Sequence, residues 1–173
     1  KKAMAKLTST LKQESTKKSK KITKISKNIS YREATHSDTA KRLNIKNDPT
    51  EDHLVNMILI AEKVFQPLRE WCEHPIKINS MYRSEALNTA IGGSKTSQHR
   101  FGQALDLDTL GEKSNADLFN YISENLNYDQ LIWEAGNDDN PDWIHVSYVN
   151  AEKNRNQRLK MKRKGTRSRY YSF

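Results

Sequence analysis

Cysteine is almost missing from this chain: Cys72 is the only one in 173 residues. That excludes an internal disulfide and any metal cluster built on cysteine. Proline and glycine are also sparse, four and six residues, so a collagen-like or proline-rich low-complexity chain is ruled out. No apolar run approaches the ~18–20 residues of a membrane-spanning helix. The positively charged N-terminus is followed by no apolar h-region, so no secretory signal is visible. Hydrophobic residues make up 35% and charged residues 29%, enough for the core of one ordinary domain with tails.

Positive charge is what the chain has in excess, a formal +9, and it gathers at the two ends. Residues 1–28 string lysines between Ser and Thr without an aromatic residue, and read as a flexible basic arm. The folded domain is expected over 29–152, beginning near Ile29–Tyr31. Residues 153–173 read as a basic C-terminal extension attached to it. There the ending Tyr170-Tyr171-Ser172-Phe173 is apolar enough to pack back on the domain or on a partner chain. Basic ends suit a polyanion, whether nucleic acid, anionic lipid or cell-wall polymer.

Between the ends, helix and strand signals alternate. A long helix is predicted over about 49–74, with Asp48 as cap, Pro49 in the first turn and Glu51 at the capping-box position. Leu54, Ile58, Ala61, Phe65, Leu68 and Cys72 then form one apolar stripe, and Pro67 should kink or divide the helix. Ile76–Ser80 alternates like a strand after Pro75. Ser84 can cap a short helix over 85–91 that Gly92-Gly93 stops. A second strand is expected at 104–108, a helix from Ser114 with Asp117 three later, and further strands at 131–134 and 144–148. This order implies an α+β domain with a small, largely antiparallel sheet flanked by helices.

Three side chains can ligate a metal without cysteine: His99, Asp106 and His145. Two imidazoles and one carboxylate, with a position left for water, is a common composition for a catalytic zinc site. In a strand over 104–108, Asp106 and Ala104 share one face while Leu105 and Leu107 face the core. His145 lies between Ile144 and Val146 by the same alternation, so two adjacent strands can present Asp106 and His145 to one point. His99 must arrive from the preceding loop, which Gly102 allows to turn tightly. A hydrolytic site also needs a carboxylate to take a proton from the attacking water. Asp142, three residues before His145, and Glu134, at the end of a predicted strand, are both candidates. Arg83 follows the first sheet strand, where a guanidinium could meet an oxyanion or a substrate carboxylate.

The pattern Ser97-x-His99-x-x-Gly102-x-Ala104-x-Asp106, followed by Asp142-x-x-His145, resembles the signature of the M15 zinc peptidases. That family includes D-Ala-D-Ala carboxypeptidases, vancomycin-resistance dipeptidases and phage L-alanyl-D-glutamate endopeptidases, and shares its fold with the hedgehog signalling domain. Ile78-Asn79-Ser80-Met81-Tyr82-Arg83-Ser84 is similar to the family's Ser-Gly-Tyr-Arg-Ser segment, and the run Gly92-Gly93-Ser94-Lys95-x-Ser97-Gln98-His99 looks like its phage and prophage branch. The resemblance spans roughly positions 30–150. It implies Zn2+ held by His99, Asp106 and His145, Asp142 as general base, Arg83 at the substrate carbonyl or oxyanion, and Ser97 supporting the site or touching substrate. Met81 stands where the family usually has Gly, which implies a narrower cleft or a different turn before Arg83.

The expected activity is hydrolysis of peptidoglycan stem peptides, at D-Ala-D-Ala or L-Ala-D-Glu type bonds, in a phage virion or at the bacterial cell envelope. The rival expectation is a virion-associated or cell-surface binding protein that retains the fold and works through its basic arm. Its partners would be virion proteins, with nucleic acid the lesser alternative.

Overall fold

The computed structural model describes residues 22–173. Most of the predicted arm, 1–21, lies outside the described residues. Structure begins earlier than the expected boundary at 29. A short ribbon pairs β1 (Lys24–Ser26) with β2 (Ile29–Ser30), and Ile25 and Ile29 are both buried in the core.

Two short helices follow, α1 (Tyr31–Thr35) and α2 (Asp38–Arg42). Each is opened by a serine whose hydroxyl accepts a backbone N–H, Ser30 for the first and Ser37 for the second. The predicted long helix is three pieces: α3 (Glu51–Ile60), a π-helical turn (Ala61–Phe65) and α4 (Gln66–Cys72). Thr50, not Asp48, caps it, accepting from His53 N at 3.3 Å. Pro67 therefore sits in the first turn of α4, where its missing N–H costs little, and the wide π turn ahead of it relieves the clash of the ring with the preceding carbonyls. That turn has a second effect. It acts as one inserted residue, so the buried face before it is displaced by one position. Met57 and Ile60 are buried while Ile58 is 39% exposed; of the expected stripe Leu54 is partly buried against the core, and from Ala61 onward it is fully buried.

The main sheet has six strands in the order β3 (Ile76–Ser80), β4 (Ala104–Thr109), β6 (Trp143–Ser147), β5 (Gln130–Glu134), β7 (Gln157–Lys164) and β8 (Arg167–Ser172). All neighbours are antiparallel except β5 and β7. The last two strands are built from the segment read as a basic extension, so 153–173 is an integral part of the sheet. The connecting helices are α5 (Glu85–Ala90), capped by Ser84, and α6 (Asn115–Asn125), whose Ser114–Asp117 capping box is formed on both sides.

Register divides the sheet into two faces. Leu105, Val146 and Leu131 form one cross-strand row and Leu107, Ile144 and Trp133 the next. Against these rows pack Met57, Val64 and Leu68 from the long helix and Leu118, Phe119 and Ile122 from α6. Truncating any of these leucines to alanine would cost about 2–5 kcal/mol. Phe173 docks beside the same core, its ring 5.0 Å from that of Phe119 and 6.2 Å from that of Trp133. The chain end packs back as its composition suggested. Among the described residues, no helix is long and apolar enough to cross a membrane.

Candidate metal centre and its cleft

The opposite face of the sheet carries the row Ser80, Asp106, His145, Ile132 and Leu159, polar in its first three members, each the register partner of the next. Strand pleating thus sets Asp106 and His145 side by side, as the alternation of their neighbours predicted. His145 Nδ1 lies 2.9 Å from Asp106 Oδ1.

His99 comes from a single 3₁₀ turn, Gln98–Phe101, that ends on Gly102 at φ +70°. A Cβ at Gly102 would stand 2.5 Å from the carbonyl oxygen of His53, so both conformation and space require glycine. His99 Nδ1 is 2.7 Å from the carbonyl oxygen of Met81. A carbonyl can only accept, so Nδ1 carries the proton and Nε2 presents its lone pair. Nε2 is buried without a hydrogen-bond partner. It lies 3.2 Å from Asp106 Oδ1, and burial pushes the His99 pKa down, favouring the neutral ring. Burial works against ionisation of Asp106, yet His99 and His145 hold its carboxyl well below the usual range.

One donor atom from each of His99, Asp106 and His145 lies within 4.8 Å of the other two. Two imidazole nitrogens, one of them orphaned, and a carboxylate oxygen make a donor set suited to a metal ion such as zinc.

Arg83 braces this group. Its Nη2 donates to Asp106 Oδ2 at 2.7 Å and its Nε to Ser80 Oγ at 2.8 Å. Met81, expected to narrow the cleft or to change the turn before Arg83, turns its side chain into the core at 1% exposure, so the cleft is not narrowed by it, while its carbonyl holds His99.

These residues line a cleft of about 670 Å³ with Ser97 on its half-buried rim and Glu134, Trp143 and His145 along its floor. The far wall is Leu159, Met161, Arg163, Ser168 and Tyr170, all from β7 and β8. Sequence reasoning missed this wall because the cations of 153–169 masked the alternation of Leu159 and Met161 and the turn at Gly165.

The two carboxylates proposed as base are placed differently. Asp142 is exposed and lies in the bend just before β6, outside the strand that carries His145. It lines a neighbouring hollow of about 840 Å³ with Asn137, Asp138 and Lys160, which contains none of His99, Asp106 and His145. Glu134 lies in the cleft itself, 7% exposed. Burial pushes its pKa up to about 7, with the charge of His145 acting against the rise and that of Asp106 adding to it.

A second network stands behind His99. Asp129, 2% exposed, accepts from Gln98 Nε2 at 2.9 Å and from Arg155 Nε and Nη2 at 2.8 and 2.6 Å. It ties the turn bearing His99 to the entry of β7.

The family model described as Peptidase M15 matches residues 13–147, more than three quarters of the chain. The chain belongs to the Peptidase M15 family. It is a peptidase by that membership, and the matched span holds all three candidate ligands together with Arg83, Ser97, Glu134 and Asp142. The M15 match stops at the end of β6, so β7, β8 and the cleft wall they form lie beyond it. No curated protein matches the chain.

Proposed function

We propose that this M15 protein is a zinc-dependent hydrolase of peptidoglycan stem peptides, acting on D-Ala-D-Ala or L-Ala-D-Glu type bonds. The observation that carries the metal is the convergence of His99, Asp106 and His145 around a buried, unpartnered Nε2. The substrate class rests on the resemblance of the Ser97–Asp106 and Asp142–His145 motifs to the M15 signature and of the Gly92–His99 run to its phage and prophage branch, which also suggests a site of action in a virion or at the bacterial envelope.

Zinc held by the three side chains would supply Lewis-acid polarisation of the scissile carbonyl and lower the pKa of water. The protein's own groups do the rest. Glu134, buried in the cleft with a pKa near neutrality, takes the proton of the attacking water and returns it to the leaving amine. Placement in the cleft favours it over Asp142, the base that the motif resemblance implies. Arg83 fixes the orientation of Asp106 and faces the bound substrate from the same wall. Ser97 meets the substrate at the rim.

Two measurements test this reading. Purified protein should carry about one zinc per chain, lost in His99→Ala. Mass analysis of peptidoglycan digests should show peptides released by wild type and not by Glu134→Gln. Equal release by the two sinks the assignment of Glu134, and no release by metal-loaded wild type sinks the substrate class.

A further inference from the structure

Strand β7 turns its side chains alternately to the two faces of the sheet. Lys160 and Lys162 point to one face, where both reach Asp138, at 2.6 and 3.6 Å. Leu159, Met161 and Arg163 point to the other and line the cleft. The cleft therefore contains two guanidinium groups, Arg83 and Arg163, and their circumstances differ. Arg83 is committed to Asp106 at 2.7 Å. Arg163 forms no ion pair among the described residues, whereas Arg100 and Arg155 each have a carboxylate partner.

Arg163 is nevertheless not a freely waving surface cation. Its Cζ lies 5.6 Å from the centre of the Trp143 ring, another cleft residue. Stacking on an aromatic face orients the planar group and leaves its edge N–H donors directed outward. Ser168, its cross-strand partner on β8, adds a hydroxyl at the same height of the wall. The carboxylates facing this part of the cleft do not satisfy it. Asp106 is held by Arg83 and His145, Glu134 is buried and favours its neutral form more than an ordinary carboxyl does although the charge of Arg163 acts against this, and Asp142 borders the adjoining hollow beside Arg163 without forming an ion pair with it.

We propose that Arg163 is a specificity-determining residue that selects peptides bearing a carboxylate at a distance from the metal centre, supplied by an acidic side chain or by a free C-terminus. A guanidinium edge receives a carboxylate through two parallel hydrogen bonds, and one pre-oriented in a cleft loses little freedom in doing so. The inference rests on the peptidase reading of the cleft. It concerns a strand outside the M15 match, so the selectivity belongs to this chain's own C-terminal hairpin rather than to the shared motifs.

The test uses the full-length, zinc-loaded chain and three matched short peptides. One has an acidic residue and an amidated C-terminus, one is neutral with a free C-terminus, and one is neutral and amidated. Arg163→Gln should raise KM for one or both carboxylate-bearing peptides by about tenfold to a hundredfold, the strength of a charged hydrogen-bonded pair. The turnover number should move little and the neutral amide should be unaffected, with Arg163→Lys intermediate. Whichever carboxylate peptide responds identifies the source of the group. An equal loss on all three peptides, or no loss on any, overturns the proposal. Calorimetric titration of the same peptides separates the two layers of the reading. If wild type cleaves none of them, the peptidase assignment fails by itself. Carboxylate-dependent binding that Arg163→Gln abolishes still supports the role of Arg163, and binding indifferent to the substitution refutes it.

Discussion

Asp106 and His145 are direct register partners on adjacent antiparallel strands, with His145 Nδ1 2.9 Å from Asp106 Oδ1. Their proximity is thus a property of the sheet ladder, and only His99 depends on a loop to reach them. The candidate ligands should accordingly differ in what their loss does. His99→Ala and His145→Ala should each empty the metal site, as read by metal content after dialysis. Asp106→Ala should in addition destabilise the fold, by about 1–3 kcal/mol, because it leaves the half-buried Arg83 guanidinium without its carboxylate. Denaturant unfolding of metal-free proteins separates the two effects.

Glu134 and Asp142 should part company on substitution. Glu134→Gln is expected to lower the hydrolytic rate by about 10²–10⁴ with metal content unchanged, the range for loss of a general base. Asp142→Asn should leave the rate within a few-fold of wild type. The reverse ranking in steady-state assays would return the base to Asp142.

Glu134 also predicts a pH dependence of stability in the metal-free protein. Its carboxyl titrates at about 7 in the fold against an ordinary value of 4.5, so the folded state holds a proton that the unfolded chain has released. Stability contributed by this group is full below pH 4.5 and is lost as pH rises towards 7, on the order of 3 kcal/mol in all. The difference between the unfolding free energies of wild type and Glu134→Gln should therefore slope across pH 4.5–7 and be flat on either side. A flat difference throughout would contradict the burial argument.

Arg155→Met should weaken the support behind His99. It leaves the Asp129 carboxylate, 2% exposed, with Gln98 as its remaining side-chain donor, and because Arg155 itself is half exposed the loss should be about 1–3 kcal/mol. The Asp129 pKa is lowered in the fold although burial opposes this, because Arg155 and Gln98 donate to it. Its stabilisation is thus present above the unfolded value near 3.9 and is lost as pH falls through the folded value. In Arg155→Met that acid-side loss should shrink, as followed by chemical denaturation between pH 2 and 6.

Gly102→Ala should damage the site by adding a single methyl group. The residue holds φ +70°, and the new Cβ would press within 2.5 Å of the His53 carbonyl oxygen. More than about 1 kcal/mol of stability should be lost, together with zinc affinity, because the turn that delivers His99 must shift.

Where sequence reading succeeded, the signal was local. Alternation marked β3, β4 and β6, the short apolar run 131–134 marked β5, and Ser84 and the Ser114–Asp117 box marked helix starts, because pleating and capping depend on residues a few positions apart. The same alternation placed Asp106 and His145 on one face, and the motif spacing supplied His99. Where reading failed, the cause was a competing influence that spacing does not carry. The π turn before Pro67 shifted the buried face of α3 by one residue, turning Ile58 outward. High charge hid β7 and β8, whose place in the sheet comes from parallel pairing with β5, a partner some two dozen residues away.

The sequence by itself thus determined the α+β class, the three candidate ligands and the glycine that lets the third one arrive. Tertiary structure alone decided the neighbours of those ligands. It put Glu134 in the cleft and Asp142 beside another hollow, turned Met81 into the core, and set Arg163 over Trp143. Ligands announce themselves by residue type and periodicity, which are local. The base, the brace and the specificity wall are defined by which strands become neighbours and which face they share, and that follows only from how the whole sheet closes over its core.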